Sequence, residues 1–400
     1  MMFDLLSDDV RRDPFPLYGR LRADCAVLEE ASSGLWLLLD HDSVRRALHD
    51  QELFSSRVVP PTGAAPDWLV FSDPPRHTGL RALVLRAFTP RSIAALEPRV
   101  RAIARDLLAG PLAAGAMDVV ADFATPLPVT VIAELIGIPP ADRARFVRWS
   151  EAIVDLSYAV AGGAEAAAAI AVHAAARAEM LPYLLDLCEE RRRAPADDLL
   201  SRLVAAEIDG ARLGDDDLLG FFQLLLAAGT ETTTNLISNA VLCFTDAPDQ
   251  LARVRDDPAL LPTAIEEVLR FRSPGQFMFR QTRREVTLHG RRIPADRLVL
   301  AVIGAANRDP LHFAEPDRFD AGRDPNPHIA FGHGIHFCLG AALARLEARV
   351  ALEELMAAAR HLERAAPGSW QPRRALHVHG PAALPVRLAR AQPFFGRGTP

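Results

Sequence analysis

Along most of the chain apolar residues return every three or four positions between Arg, Glu and Asp, which is the periodicity of amphipathic helices. The pattern predicts helices over 73–88, 91–109, 123–136, 141–160, 165–193, 215–245, 262–271 and 340–360. Asp73-Pro74 reads as an N-cap followed by proline at the first helical position. The segment 215–245 would be a helix of roughly 30 residues, about 45 Å long, the width of a domain. Two-residue alternation is rare. It occurs over 26–39, with a turn at Ser32-Ser33-Gly34, and over 285–305, around His289-Gly290. The expected fold is mainly α, with a small β portion drawn from both early and late segments.

Pro-rich stretches at 59–66 and 324–327 are short enough to be loops, and no internal repeat or long Gly/Ser linker divides the chain. A single domain over 1–400 is expected, with 391–400 as a frayed tail. Half of the 400 residues are hydrophobic and 24% charged, which suits a large core and excludes a disordered chain. The formal charge is −6 and every basic residue is arginine. That mild acidity argues against nucleic-acid binding, which needs a basic excess. The acidic segment 1–13 lacks the pattern of a signal peptide. No uncharged apolar run of about 18 residues predicts a membrane-spanning helix. Cys25, Cys188, Cys243 and Cys338 are widely spaced and form no CxxC pair. Neither a structural zinc site nor a disulfide framework is expected, and a cytoplasmic protein follows.

The strongest chemical signal is Phe331-Gly332-His333-Gly334-Ile335-His336-Phe337-Cys338-Leu339-Gly340, placed just before a helical run. A lone cysteine on such a loop can present its sulfur outward. Nearby N–H donors and a helix N-terminus favour thiolate, the metal-ligating form. Glycines at 332, 334 and 340 allow close approach of a flat ligand. The loop resembles the iron-ligand signature of the haem-thiolate monooxygenases, the cytochrome P-450 family, F-x-x-G-x-[HR]-x-C-x-G. Phe331, Gly334, His336, Cys338 and Gly340 all match, in the manner of the soluble bacterial members.

The resemblance implies the P-450 fold, with the long central helix crossing a haem b (iron protoporphyrin IX) whose iron Cys338 binds. Within that helix stands Ala228-Gly229-Thr230-Glu231-Thr232-Thr233. Mid-helix glycine costs about 1 kcal/mol relative to alanine, and threonines can bond back to a carbonyl and bend the helix. The segment is similar to the family pattern [AG]-G-x-[DE]-T, which implies that Ala228 and Gly229 lie over the cofactor. Glu231 and Thr232 would then be the acid–alcohol pair that passes protons toward dioxygen.

His77 and Arg81, at i and i+4, share a helical face. The family places propionate partners here and at the positions of Arg280 and His336. Glu267-Val268-Leu269-Arg270 looks like the family's ExxR element, structural in role, with Arg318 as its expected third member. Helical spacing back from Thr232 adds Leu225 and Phe221 to a candidate pocket. Trp68, Val70, Phe71, Phe277, Met278 and Val378 stand where the family's substrate contacts fall. An apolar terpenoid, polyketide, steroid or fatty acid would suit this lining.

At this length the haem domain is expected to take up the chain, with no fused reductase beside it. Electrons are expected from a separate ferredoxin and an NAD(P)H-dependent reductase, docked near Arg86, Arg345 and Arg349. The activity implied is monooxygenation of a C–H bond, with epoxidation a further outcome. The alternatives are a peroxide-driven peroxygenase, which retention of the acid–alcohol pair disfavours, and a non-catalytic haem sensor or carrier.

Overall fold

A computed structural model describes residues 7–390 apart from 32, 59–67, 86–87, 157–162, 209–210, 367 and 376. The expected tail at 391–400, the Pro-rich stretch at 59–66 and Arg86 therefore lie outside the described residues. The helices that frame the site are α1 (His41–His49), α2 (Arg76–Leu85), α3 (Glu97–Ala114), α4 (Pro126–Ile136) and α5 (Arg143–Val154). They continue with α6 (Gly163–Arg193), α7 (Asp215–Asp246), α8 (Leu261–Phe271) and α9 (Ala341–Ala358).

Helix boundaries follow local chemistry. Asp40 caps α1, its carboxylate accepting the Ser43 N–H at 2.9 Å. Gly115 and Gly137 close α3 and α4 at φ of 75° and 92°, a conformation that glycine adopts without steric penalty. Asp73 does not cap α2 with its side chain as the sequence predicts. The helix starts at Arg76, and the Asp73 carboxylate instead holds a neighbouring loop. Over 123–136 the expected single helix is split into a π-helical turn, Val119–Ala124, and α4. The stretch Val119–Ile136 is apolar and long enough to cross a membrane, yet 67% of it is buried inside the fold.

The longest prediction matches closely. α7 runs for 32 residues, buried along most of its length, and packs against α4, α5, α8 and α9. Such nearly all-round apolarity marks a central helix rather than a surface one.

Five strands form the main sheet: β1 (Val27–Glu29), β2 (Trp36–Leu38), β3 (Phe54–Ser55), β4 (Met278–Thr282) and β5 (Leu298–Ala301). Their order is β1-β2-β5-β4-β3. β5 pairs parallel with β2 (Val299↔Trp36) and antiparallel with β4 (Val299↔Arg280). The late strands thus complete the early hairpin. The predicted turn at His289-Gly290 joins Val286–Leu288 to Arg291–Ile293, with both turn residues at positive φ.

Candidate active site

The loop before α9 is shaped by glycines with different jobs. Gly332 and Gly334 both adopt φ of 74°, where L side chains are strained. A Cβ on Gly334 would also meet the Leu48 carbonyl oxygen and the His49 Cα at 3.0 Å, so this glycine seats the loop on α1. Gly340 has an ordinary φ and nothing within 4 Å of its Cβ direction, leaving the approach beside Cys338 open. The Cys338 N–H donates to the Phe331 carbonyl at 2.8 Å, which folds the loop back on itself. Phe331 is stacked under the Arg345 guanidinium at 4.4 Å.

Burial pushes the Cys338 thiol up. The Gly340 N–H and the charges of Arg81 and Arg345 pull it back toward thiolate. The protein alone therefore does not fully deliver the thiolate that the loop's donors promise. A bound cation would complete the deprotonation.

Beside the sulfur lies a cluster of basic groups. Arg81 donates to the Phe337 carbonyl at 2.6 Å, tying α2 to the cysteine loop. The His77 and His336 rings are 4.2 Å apart, and His336 Nε2 lies 3.0 Å from Ser56 Oγ. Arg280 is only 4% exposed. Its Nη1 donates to the Phe279 carbonyl at 2.7 Å, and it makes no ion pair among the described residues. Burial lowers Arg280 to about 10, with Asp73 opposing, and lowers His77 to about 4 and His336 to about 3, both histidines further depressed by neighbouring cations. The nearby carboxylate, Asp73, is already engaged by the Ser56 N–H and by Arg283 at 2.6 Å.

Buried guanidinium without a carboxylate is costly unless an anion joins it. The Nε2 of His77 is also buried without a partner. This donor-rich pocket beside a cysteine sulfur fits a haem, whose propionates would take Arg81, Arg280, His77 and His336. The structure brings all four together from α2, β4 and the cysteine loop.

On α7, Ala228 is exposed and Gly229 and Thr232 are partly exposed, whereas Thr230, Glu231 and Thr233 are buried. Thr232 Oγ1 donates to the Ala228 carbonyl at 2.8 Å, leaving its oxygen free to accept. Gly229 has a packing reason: its Cβ would meet Ile132 Cδ1 at 2.7 Å, so its missing side chain lets α7 close on α4. Glu231 points away from Thr232. Its Oε1 lies 2.7 Å from Arg373 Nε, and Asn235 Nδ2 approaches at 3.5 Å. Burial raises its carboxyl, with Arg373 opposing. The acid and alcohol thus make no direct contact, which adjacent positions on a helix explain, being about 100° apart.

Glu267 and Arg270 are both fully buried and bidentate, at 2.7 and 2.8 Å. Arg270 also donates to the carbonyls of Asn307, Pro316 and Arg318. The expected third member is corrected: the Arg318 side chain is exposed and pairs with Glu315, while Arg323 Nε reaches Glu267 at 3.0 Å. Asn326 Nδ2 and the Asp320 N–H complete the carboxylate's shell. Arg318 contributes through its backbone oxygen. Side-chain spacing alone could not separate two arginines five residues apart in a loop. Arg323, Arg373 and the fully buried Glu347 carry no local sequence signal of their roles.

Of the pocket candidates, Trp68 and Phe71 stack at 5.9 Å, and Trp68 Nε1 donates to Gln223 on α7 at 3.0 Å. Val70 packs with them against the core that holds Phe221 and Leu225. Val378 packs with Val154 beside Ala227 of α7. Met278 is exposed on the strand face that carries Arg280, because residues two apart share a face. Phe277 is corrected: it packs with Phe279 against Phe15, Leu37 and Leu300 on the far side of the sheet. Arg345 and Arg349 are not free surface charges either. Arg345 chelates Glu266, and Arg349 pairs with Glu97 and Glu353.

The family model described as Cytochrome P450 matches residues 170–362. The chain is 42% identical over 367 residues to the vitamin D(3) 25-hydroxylase of Pseudonocardia autotrophica, covering 88% of each. Among solved structures it resembles cytochrome P450 CYP109Q5 from Chondromyces apiculatus, with TM-score 0.88 and 41% identity over 98% of this chain and 99% of that one. It also resembles CYP109E1 from Bacillus megaterium in complex with testosterone, with TM-score 0.84 and 36% identity over 94% and 99%.

Proposed function

The chain belongs to the cytochrome P450 family of monooxygenases, and from that premise we propose that it hydroxylates an apolar small molecule of steroid or macrolide size at a haem b. Dioxygen is the oxidant, and a separate ferredoxin with its NAD(P)H-dependent reductase supplies electrons. The haem, when bound, supplies the iron at which dioxygen is reduced and one oxygen atom is inserted.

Cys338 would hold that iron, with the Gly340 N–H beside its sulfur. Arg81, Arg280, His77 and His336 would take the propionates and fix the plane of the group. Ala228 and Thr232 lie on the uncovered stripe of α7, and the Thr232 oxygen, whose hydroxyl donates to the Ala228 carbonyl, can accept from water. Glu231, held by Arg373 and with its carboxyl raised by burial, would store a proton for that relay without touching Thr232. Trp68, Phe71, Phe221, Leu225, Met278 and Val378 exclude water from the substrate. We read the protein as one domain working in the cytoplasm, in keeping with its four free cysteines.

The observation that carries this reading is the buried Arg280, with no ion pair among the described residues, in one cluster with His77, His336 and Arg81 beside Cys338. The relative that hydroxylates vitamin D(3) and the neighbour that holds testosterone support the substrate class. The test is spectral titration of haem-loaded protein with testosterone, a macrolide and a long-chain fatty acid. Saturable displacement of the iron-bound water by at least one of them is expected. Response only to small polar ligands would overturn the substrate class.

A further inference from the structure

Away from the cysteine loop, at the opposite end of α1, three potential ligands converge that the monooxygenase reading does not use. His41 Nδ1, Asp42 Oδ1 and His312 Nε2 all lie within 4.8 Å of one another. We propose that they form a site for a divalent transition-metal ion, with Zn²⁺ the fitting probe. Two imidazoles and a carboxylate are a donor set that such ions favour, with water completing the shell.

The orientation of His41 carries the argument. Its side chain is only 6% exposed, and Nδ1 is buried without a hydrogen-bond partner. The other ring nitrogen, Nε2, lies 3.3 Å from the Pro327 carbonyl oxygen, which can only accept. The proton therefore sits on Nε2, and Nδ1 presents a lone pair. A carbonyl that fixes the tautomer of a histidine in this way is the usual outer partner of a metal ligand. The lone pair faces the Asp42 carboxylate oxygen, a second acceptor, at 3.9 Å. Two acceptors facing one another repel, and a cation between them would satisfy both.

His312 closes the third side. Its Nε2 is 3.3 Å from the same Asp42 oxygen, and its ring stacks on His41 at 4.1 Å and 27°. Ligands about 2.0–2.2 Å from one ion sit roughly 3.3–3.5 Å apart. Coordination therefore requires the His312 ring, 30% exposed, to turn out of the stack, while His41 stays fixed. The two segments are already linked across the site, since the His41 N–H donates to Asp309 Oδ2 at 2.9 Å. The positive end of the α1 dipole opposes a cation here. The Asp42 and Asp309 carboxylates beside His41 act against it. A bound ion would staple the start of α1 to the segment after Asp309.

The test is calorimetric titration of tag-free, haem-loaded protein with ZnCl₂ at neutral pH, together with thermal unfolding. One ion per chain is expected, with a micromolar dissociation constant and a higher Tm when zinc is present. His312→Ala and Asp42→Asn, both at exposed positions, should each weaken binding at least about tenfold and abolish the Tm shift. Absence of saturable one-to-one binding below about 1 mM would overturn the proposal. Undiminished binding in His312→Ala would overturn it equally, since the ion would then lie elsewhere.

Discussion

Replacing each of three arginines around Glu267 by alanine should separate them sharply in stability. Arg270 is fully buried and makes five hydrogen bonds, two to Glu267 and three to backbone carbonyls. Removing one partner of a buried pair costs about 3–5 kcal/mol, a large share of a total stability of about 5–15 kcal/mol. Arg323 makes one bond to Glu267 and three to the carbonyls of Ala314, Glu315 and Arg318. Its loss leaves Glu267 still held by Arg270 and Asn326, so about 1–3 kcal/mol is expected. Arg318 forms an exposed pair with Glu315 and should contribute about 0–1 kcal/mol. Urea unfolding followed by haem absorbance and by far-ultraviolet circular dichroism reads all three. Arg270→Ala should lose haem or fail to fold, Arg323→Ala should be clearly weakened and Arg318→Ala near wild type. If Arg318→Ala costs as much as Arg323→Ala, the assignment of the triad is wrong.

Gly229→Ala should cost about 1–3 kcal/mol through overlap with Ile132. The double variant with Ile132→Ala should be more stable than the two single losses added together, and strict additivity in unfolding experiments would count against the contact. Gly334→Ala combines positive φ with a 3.0 Å approach to α1 and should lower the haem-to-protein ratio of purified enzyme, which absorbance measures directly. Glu347 is fully buried with both carboxylate oxygens unpartnered, and burial raises its carboxyl well above the usual value. Stability from such a group is present below the unfolded value and lost as pH rises through the folded one. Glu347→Gln should therefore gain Tm relative to wild type as pH rises from about 5 to about 8; a constant difference would show that burial does not raise the Glu347 carboxyl.

The central helix and the cysteine loop were legible in the sequence because each is local. α7 follows from continuous apolar periodicity, and the loop from glycines and a cysteine within ten residues. Arg81, His77, Arg280 and His336 could be assembled only through the family resemblance, since α2 lies far along the chain from both β4 and the loop. The misreadings share a cause. Choosing Arg318 over Arg323 required loop geometry that spacing does not encode. The phase of β4, which sends Phe277 to the opposite face from Met278, is not carried by position relative to the family's contacts. Arg345 reads as free charge until Glu266, 79 residues away, is brought beside it.

The central claim is that Cys338 binds haem iron through its sulfur, and the carbon-monoxide spectrum of the dithionite-reduced protein tests it most directly. Wild type should show the long-wavelength Soret band of a thiolate-ligated haem. Cys338→Ser should lose that band and all turnover. An unchanged spectrum in the serine variant would contradict the account.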